Sequence, residues 1–302
     1  MRRVWFCYCP RALANRIGWY DASIGANGTS RMFGAMSMRR SLRLLNSLLL
    51  AWALSSLAPS GLITPAIALD LGGDAARAAS RSPVDACLSF ANGLSLGARL
   101  PAVGSKLRAG GTLTVVALGS SSTTGFGAFG SHTAFPDVMK DELTRLHPGV
   151  RIELINSGRI MEDLGDNIAR LDNDVLRYRP DLVIWQIGTN DVVWRGIADN
   201  AKGMLNEAVR RIKAAKSDVV LLDLQYAPLV TLTSRYERMQ KMITDVAAEQ
   251  NVGHFPRFAL MKRAIDAGVS GLVSWDGLHN SSDGYACVGI ALARMIDAAA
   301  RP

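Results

Sequence analysis

Five short apolar runs, each closed by turn residues and separated by amphipathic helical stretches, constrain this chain more than any other feature. They fall at 112–118 (TLTVVAL), 151–155 (RIELI), 182–187 (LVIWQI), 218–224 (DVVLLDL) and, more weakly, 252–255. Runs this short and rich in Val, Ile and Leu read as strands buried on both faces. Between them, Leu164, Ile168, Leu171, Val175 and Tyr178 recur at helical spacing across 163–178. Residues 135–146, 201–216, 233–250 and 281–299 show the same period. Pro136 suits the first turn of the 135–146 helix. Alternating strands and helices predict an α/β fold, a three-layer α/β/α sandwich around a parallel sheet of about five strands with right-handed crossovers. Ligands of such sheets bind beyond the carboxyl ends of the strands, so the residues after each run are the candidates for function.

The net charge of +8 suggests nucleic-acid binding until it is located. Residues 1–68 hold eight arginines, no lysine and one acid, Asp21, a net +7. The remaining 26 basic and 25 acidic residues leave +1, so the folded part carries no basic excess for phosphate. Met38-Arg39-Arg40, the apolar stretch Leu44 to Leu57 and the small residues Ala66-Ile67-Ala68 form the three parts of a secretory signal peptide. Residues 1–68 are therefore read as a leader, with translation starting at Met36 or Met38. The protein is read as exported, periplasmic or secreted, and it meets a membrane only if the leader stays uncleaved. Residues 69–110 read as an N-terminal arm with one short helix near 83–92, and 111–302 as the folded domain. Cys7 and Cys9 fall in the leader. Cys87 and Cys287 remain, and in an oxidising compartment they are either a disulfide or two buried thiols.

The strand ends carry the chemistry. Gly119-Ser120-Ser121-Ser122-Thr123-Thr124-Gly125 follows the first run. Asn156-Ser157-Gly158-Arg159-Ile160-Met161-Glu162 follows the second, and Gly188-Thr189-Asn190-Asp191 the third. Trp275-Asp276-Gly277-Leu278-His279-Asn280 stands near the end of the chain. Ser121 is a nucleophile only with a base beside it, and His279 with Asp276 supplies a base and its orienting acid.

These four places, in this order, resemble the SGNH or GDSL-type hydrolases over residues 112–298. Gly119-Ser120-Ser121 resembles the family's Gly-Asp-Ser motif, Gly188-Thr189-Asn190-Asp191 its Gly-x-Asn-Asp motif, and Asp276 with His279 its Asp-x-x-His motif. The resemblance implies a flavodoxin-like SGNH fold. It makes Ser121 the nucleophile, His279 the base and Asp276 the acid that orients it. It places the oxyanion hole at the Ser121 N–H, the Asn190 side chain and the Met161 N–H, or Gly158 in another register. It implies no cofactor and no metal. Two positions depart from the family: Ser120 replaces an aspartate, and Met161 stands where a glycine is usual. The first predicts altered loop support; the second threatens the placement of an oxyanion donor.

Other readings stand beside these. Asn190-Asp191 is also what a turn closing a strand looks like, and Asp191 suits a helix cap. Trp185, Trp194 and Trp275 either border the site or pack in the core. His132 and His147 read as surface residues and His254 as structural. Met204, Met239, Met242 and Met261 read as helix core. The function expected is an exported serine esterase acting on a small-molecule or carbohydrate ester, short-acyl such as O-acetyl, through an acyl-enzyme on Ser121. The alternatives are an O-acyltransferase with the same triad and a non-catalytic carbohydrate-binding protein of this fold.

Overall fold

The computed structural model describes residues 82–130 and 133–302. The proposed leader with its alternative start sites, Cys7, Cys9, residues 69–81 of the arm and His132 lie outside the described residues. Among the described residues, no helix is long and apolar enough to cross a membrane.

The five apolar runs form five strands: β1 (Gly111–Gly119), β2 (Val150–Gly158), β3 (Leu182–Gln186), β4 (Asp218–Leu222) and β5 (Gly253–Phe255). All neighbours pair in parallel, in the order β2-β1-β3-β4-β5. This is the flavodoxin-like strand order. Side chains alternate between the two faces of each strand. Leu113, Val115, Leu182 and Ile184 enter one core, while Val116, Leu118, Val183 and Trp185 enter the other. Burial on both sides explains why the runs read as unbroken rather than alternating.

The first core is covered by α1 (Pro83–Ser89), α2 (Pro101–Ala109), α4 (Phe135–Leu146), α10 (Arg257–Asp266) and α11 (Ser282–Ala300). The second is covered by the short α5 (Leu164–Ala169) and α6 (Leu171–Asp174), with α7 (Ala201–Ala214) and α9 (Arg235–Gln250). Short α3 (Ser121–Thr124) and α8 (Pro228–Thr231) sit at strand ends.

Three features differ from the sequence reading. Residues 82–110 are no connecting arm: Cys87, Leu96, Leu100 and Val103 are buried in the first core. The stretch 163–178 is not one helix but α5, α6 and a tight turn, broken at Arg170. The Arg170 guanidinium turns inward and binds Glu162, Asp174, the Ser157 hydroxyl and the carbonyls of Ser157 and Gly119. Burying it demands this many acceptors, and the helix yields to supply them. Helix α10 has no bounds in the sequence reading, which marks it only through Met261 as helix core. Its first residue, Arg257, is fully buried, and burial lowers its pKa to about 10.

Cys87 on α1 and Cys287 on α11 form a disulfide with Cα atoms 6.1 Å apart. It ties the two ends of the described chain across 200 residues of sequence.

Candidate active site

β1 ends at Gly119, and the chain turns at once into α3 with Ser121 as its first residue. The turn is held from the neighbouring strand. Gln186, the last residue of β3, accepts three hydrogen bonds at Oε1: from the Ser120 N–H (3.0 Å), the Ser120 hydroxyl (3.0 Å) and the Thr123 hydroxyl (3.2 Å). An aspartate at position 120 would set a carboxylate against this oxygen, acceptor to acceptor. Ser120 and Gln186 are therefore a matched pair in the support of this loop. The sequence signal for Gln186 is a lone polar residue inside an apolar run.

Ser121 and His279 come together across 158 residues of sequence, with Ser121 Oγ 2.8 Å from His279 Nε2. On the other side of the ring, His279 Nδ1 lies 2.6 Å from Asp276 Oδ2. Asp276 Oδ1 accepts the backbone N–H groups of Leu278 (3.0 Å) and His279 (2.9 Å). Burial pushes the Asp276 carboxyl up, but the Leu278 N–H and both His279 donors outweigh it, so it stays below the usual carboxylate range. An ionised Asp276 accepts a proton-bearing Nδ1 and leaves Nε2 free to accept from Ser121.

The His279 loop is packed from three sides. The Phe126 ring sits 4.8 Å from the imidazole, tilted by 57°. Gly127 has φ +92°, and a Cβ there would lie 2.7 Å from the His279 Cβ. Its carbonyl accepts the Ser274 hydroxyl at 3.0 Å, and Tyr285 donates to the Phe126 carbonyl at 2.7 Å. Buried Gln225 accepts from the Thr189 hydroxyl and donates to the Leu278 carbonyl, joining the third motif to the histidine loop. Gln225 escaped the sequence reading because its partners are distant in the chain.

Asn190 is buried and donates one amide N–H to the Glu162 carbonyl at 2.7 Å, which leaves its second. Met161 is 47% exposed and occupies the third position of a turn closed from the Glu162 N–H to the Arg159 carbonyl. Its φ is +67°. That torsion is the reason a glycine is favoured here, and a methionine bears it at a cost of roughly 1–2 kcal/mol. Trp185 is buried, donating to Asn167 Oδ1 at 3.0 Å, whereas Trp194 and Trp275 are exposed at the strand ends. His254 pairs with Asp223, and half-buried His147 binds Asp297. Met239, Met242 and Met261 are buried; Met204 is only partly so.

Asp191 does not cap a helix of its own. Its Oδ1 accepts the Leu164 N–H at 3.4 Å, and its buried Oδ2 has no partner among the described residues. Burial raises its pKa to about 6, with Asp163 and Asp166 adding to the rise and the Leu164 N–H opposing it. A carboxyl held above its unfolded value weakens the fold only when ionised. That burden is absent below about pH 4, grows as pH rises to about 6 and is full above it. Asp191→Asn should therefore stabilise the protein at pH 8 by about 1–3 kcal/mol and leave it unchanged at pH 4. Urea unfolding at both pH values checks this; an equal shift at both would count against it.

An α/β sheet whose strand tips hold a serine, a histidine and an aspartate in one hydrogen-bonded chain defines the class. The chain belongs to the non-GDSL lipase-like family, whose model matches residues 86–302. It is 25% identical over 196 residues to an acetylxylan esterase of Geobacillus stearothermophilus, an alignment covering 59% of this chain and 88% of that protein. Among solved structures, a two-domain esterase active on acetylated mannans superposes with a TM-score of 0.60 at 20% identity over 70% of this chain. The match spans only 57% of that esterase. The lipase/acylhydrolase of Enterococcus faecalis superposes with a TM-score of 0.53 at 24% identity, over 62% of this chain and 96% of that one.

Proposed function

We propose that this protein is an exported serine ester hydrolase of the SGNH type, cleaving a short-acyl ester carried on a carbohydrate. The observation that carries the reading is the continuous chain Ser121 Oγ, His279 and Asp276, with links of 2.8 and 2.6 Å. Ser121 Oγ attacks the acyl carbon while His279 Nε2 takes its proton. The carbonyl oxygen becomes an oxyanion, and the Ser121 N–H, the second Asn190 amide N–H and the Met161 N–H are the donors in this reading. Each such donor is worth on the order of 3 kcal/mol of barrier. The imidazolium, held by Asp276, returns the proton to the leaving alcohol. Water repeats the sequence and frees the acid.

The relatives' names support the carbohydrate ester. The leader pattern and the disulfide support export.

A fluorophosphonate probe tests the reading. Residues 69–302 should take one label, on Ser121 by peptide mapping, and label elsewhere or none on the folded protein would refute it. Gly127→Ala gives a second check. The added Cβ displaces His279 and should lower kcat by about 100-fold, the order expected for a misplacement near 1 Å. Turnover at the wild-type rate would show that the 126–127 loop does not position the base.

A further inference from the structure

Resting on that reading, we infer that the leaving alcohol is a sugar ring within a longer glycan, seated on the exposed rings of Trp275 and Phe126. Among the described residues, the large exposed apolar side chains lie at the carboxyl ends of the strands, with Tyr178 the exception. Phe126 and Phe129 follow α3, Met161 follows β2, Trp194 follows β3, and Trp275 precedes Asp276. Apolar surface gathered in this way marks a binding face rather than chance exposure.

The mechanism says which part of the substrate meets which rings. His279 Nε2 protonates the leaving oxygen, so the alcohol lies on the histidine side and the acyl group on the side of Ser121 and Asn190. Phe126 is packed 4.8 Å from that imidazole, and Trp275 is 84% exposed on the same loop as Asp276 and His279. The Trp275 ring is carried on a fixed backbone. Ser274 before it donates its N–H to the His279 carbonyl at 2.8 Å and its hydroxyl to the Gly127 carbonyl at 3.0 Å. Asp276 after it accepts three hydrogen bonds. With the backbone fixed, only the two side-chain torsions of Trp275 remain to be ordered on binding.

Charge selects a glycan over a bilayer. The strand-end segments 155–166, 187–196 and 270–283 carry Glu162, Asp163, Asp166, Asp191, Asp276 and Asp283 against Arg159 and Arg195, and Arg170 pairs with Glu162, so the face keeps an acidic excess. An anionic membrane is repelled by such a face, because docking there draws on basic residues. A neutral sugar is not. Its C–H faces pack flat on the electron-rich face of an indole, while its hydroxyls stay in water.

The test compares O-acetylated xylo-oligosaccharides with ethyl acetate, whose leaving group carries no sugar ring. Trp275→Ala should lower the ratio of kcat/KM for the oligosaccharide to that for ethyl acetate by at least tenfold, chiefly through KM. Trp275→Phe should recover most of it. Fluorophosphonate labelling of Ser121 in the variant shows that the site is assembled. If wild-type protein hydrolyses ethyl acetate but the ratio does not move in Trp275→Ala, the platform falls and the hydrolase reading stands. If wild-type protein hydrolyses neither ester and Ser121 takes no label, both fall. Binding of wild-type protein to phosphatidylglycerol vesicles that is lost in Trp275→Ala would assign the rings to lipid and overturn the inference.

Discussion

Ser121→Ala should abolish ester turnover, lowering kcat by about a million-fold, while leaving the melting temperature within a degree or two of wild type. The magnitude follows from the serine and histidine acting as one unit: once the nucleophile is gone, the base has nothing to deprotonate. The small structural effect follows from what the hydroxyl touches. Among the described residues Ser121 Oγ bonds only His279 Nε2, and the loop around it is held by other groups. The Ser120 N–H, the Ser120 hydroxyl and the Thr123 hydroxyl all remain on Gln186. His279 keeps Asp276 on its far side. Steady-state hydrolysis of ethyl acetate beside a thermal melt checks both halves. Residual turnover above about one part in a thousand would move the nucleophile elsewhere. A large drop in melting temperature would show that the hydroxyl is structural.

The parallel sheet and the serine–histidine–aspartate set were legible because each depends on local pattern. A strand buried on both faces must be apolar throughout, and a residue at its tip is found by counting along the chain. What escaped is what depends on distant partners. Gln186 interrupts an apolar run, and only the fold shows that its oxygen serves Ser120 and Thr123. Arg170 reads as a helix-surface residue by spacing, yet it is buried and breaks the helix to reach Glu162, Asp174 and the Gly119 carbonyl. Helix α10 shows in the sequence only through Met261: Phe258, Leu260 and Ala264 also face inward, but Arg257, Lys262 and Arg263 blur the period. Helix α1 matches the short helix read near 83–92, but α2 is short and rich in small residues, so its apolar face is narrow; burial against α11 decides it, not propensity. Met161 was legible as an oddity from its place in the motif, and its φ of +67° supplies the reason.

Replacing both Cys87 and Cys287 by alanine should destabilise the protein by about 2–5 kcal/mol, a fall in melting temperature of roughly 5–15 °C. The bond joins α1 to α11 and closes 200 residues of chain, so its loss frees a large unfolded ensemble. It also leaves α1, only seven residues long, to hold its place by packing alone. Reductant should reproduce the shift in wild-type protein and do nothing to the double variant; a shift in both would trace it to something other than this bond. The same pair connects stability to location. If the leader is removed on export, Cys7 and Cys9 leave with it, and Cys87 and Cys287 are the two cysteines left in the chain. Thiol titration of the denatured mature protein then has a simple answer. No free thiol in protein recovered from outside the cytoplasm agrees with a closed bond and an oxidising compartment. Two free thiols there would remove the disulfide from the native protein, and with it the stability expected of α1.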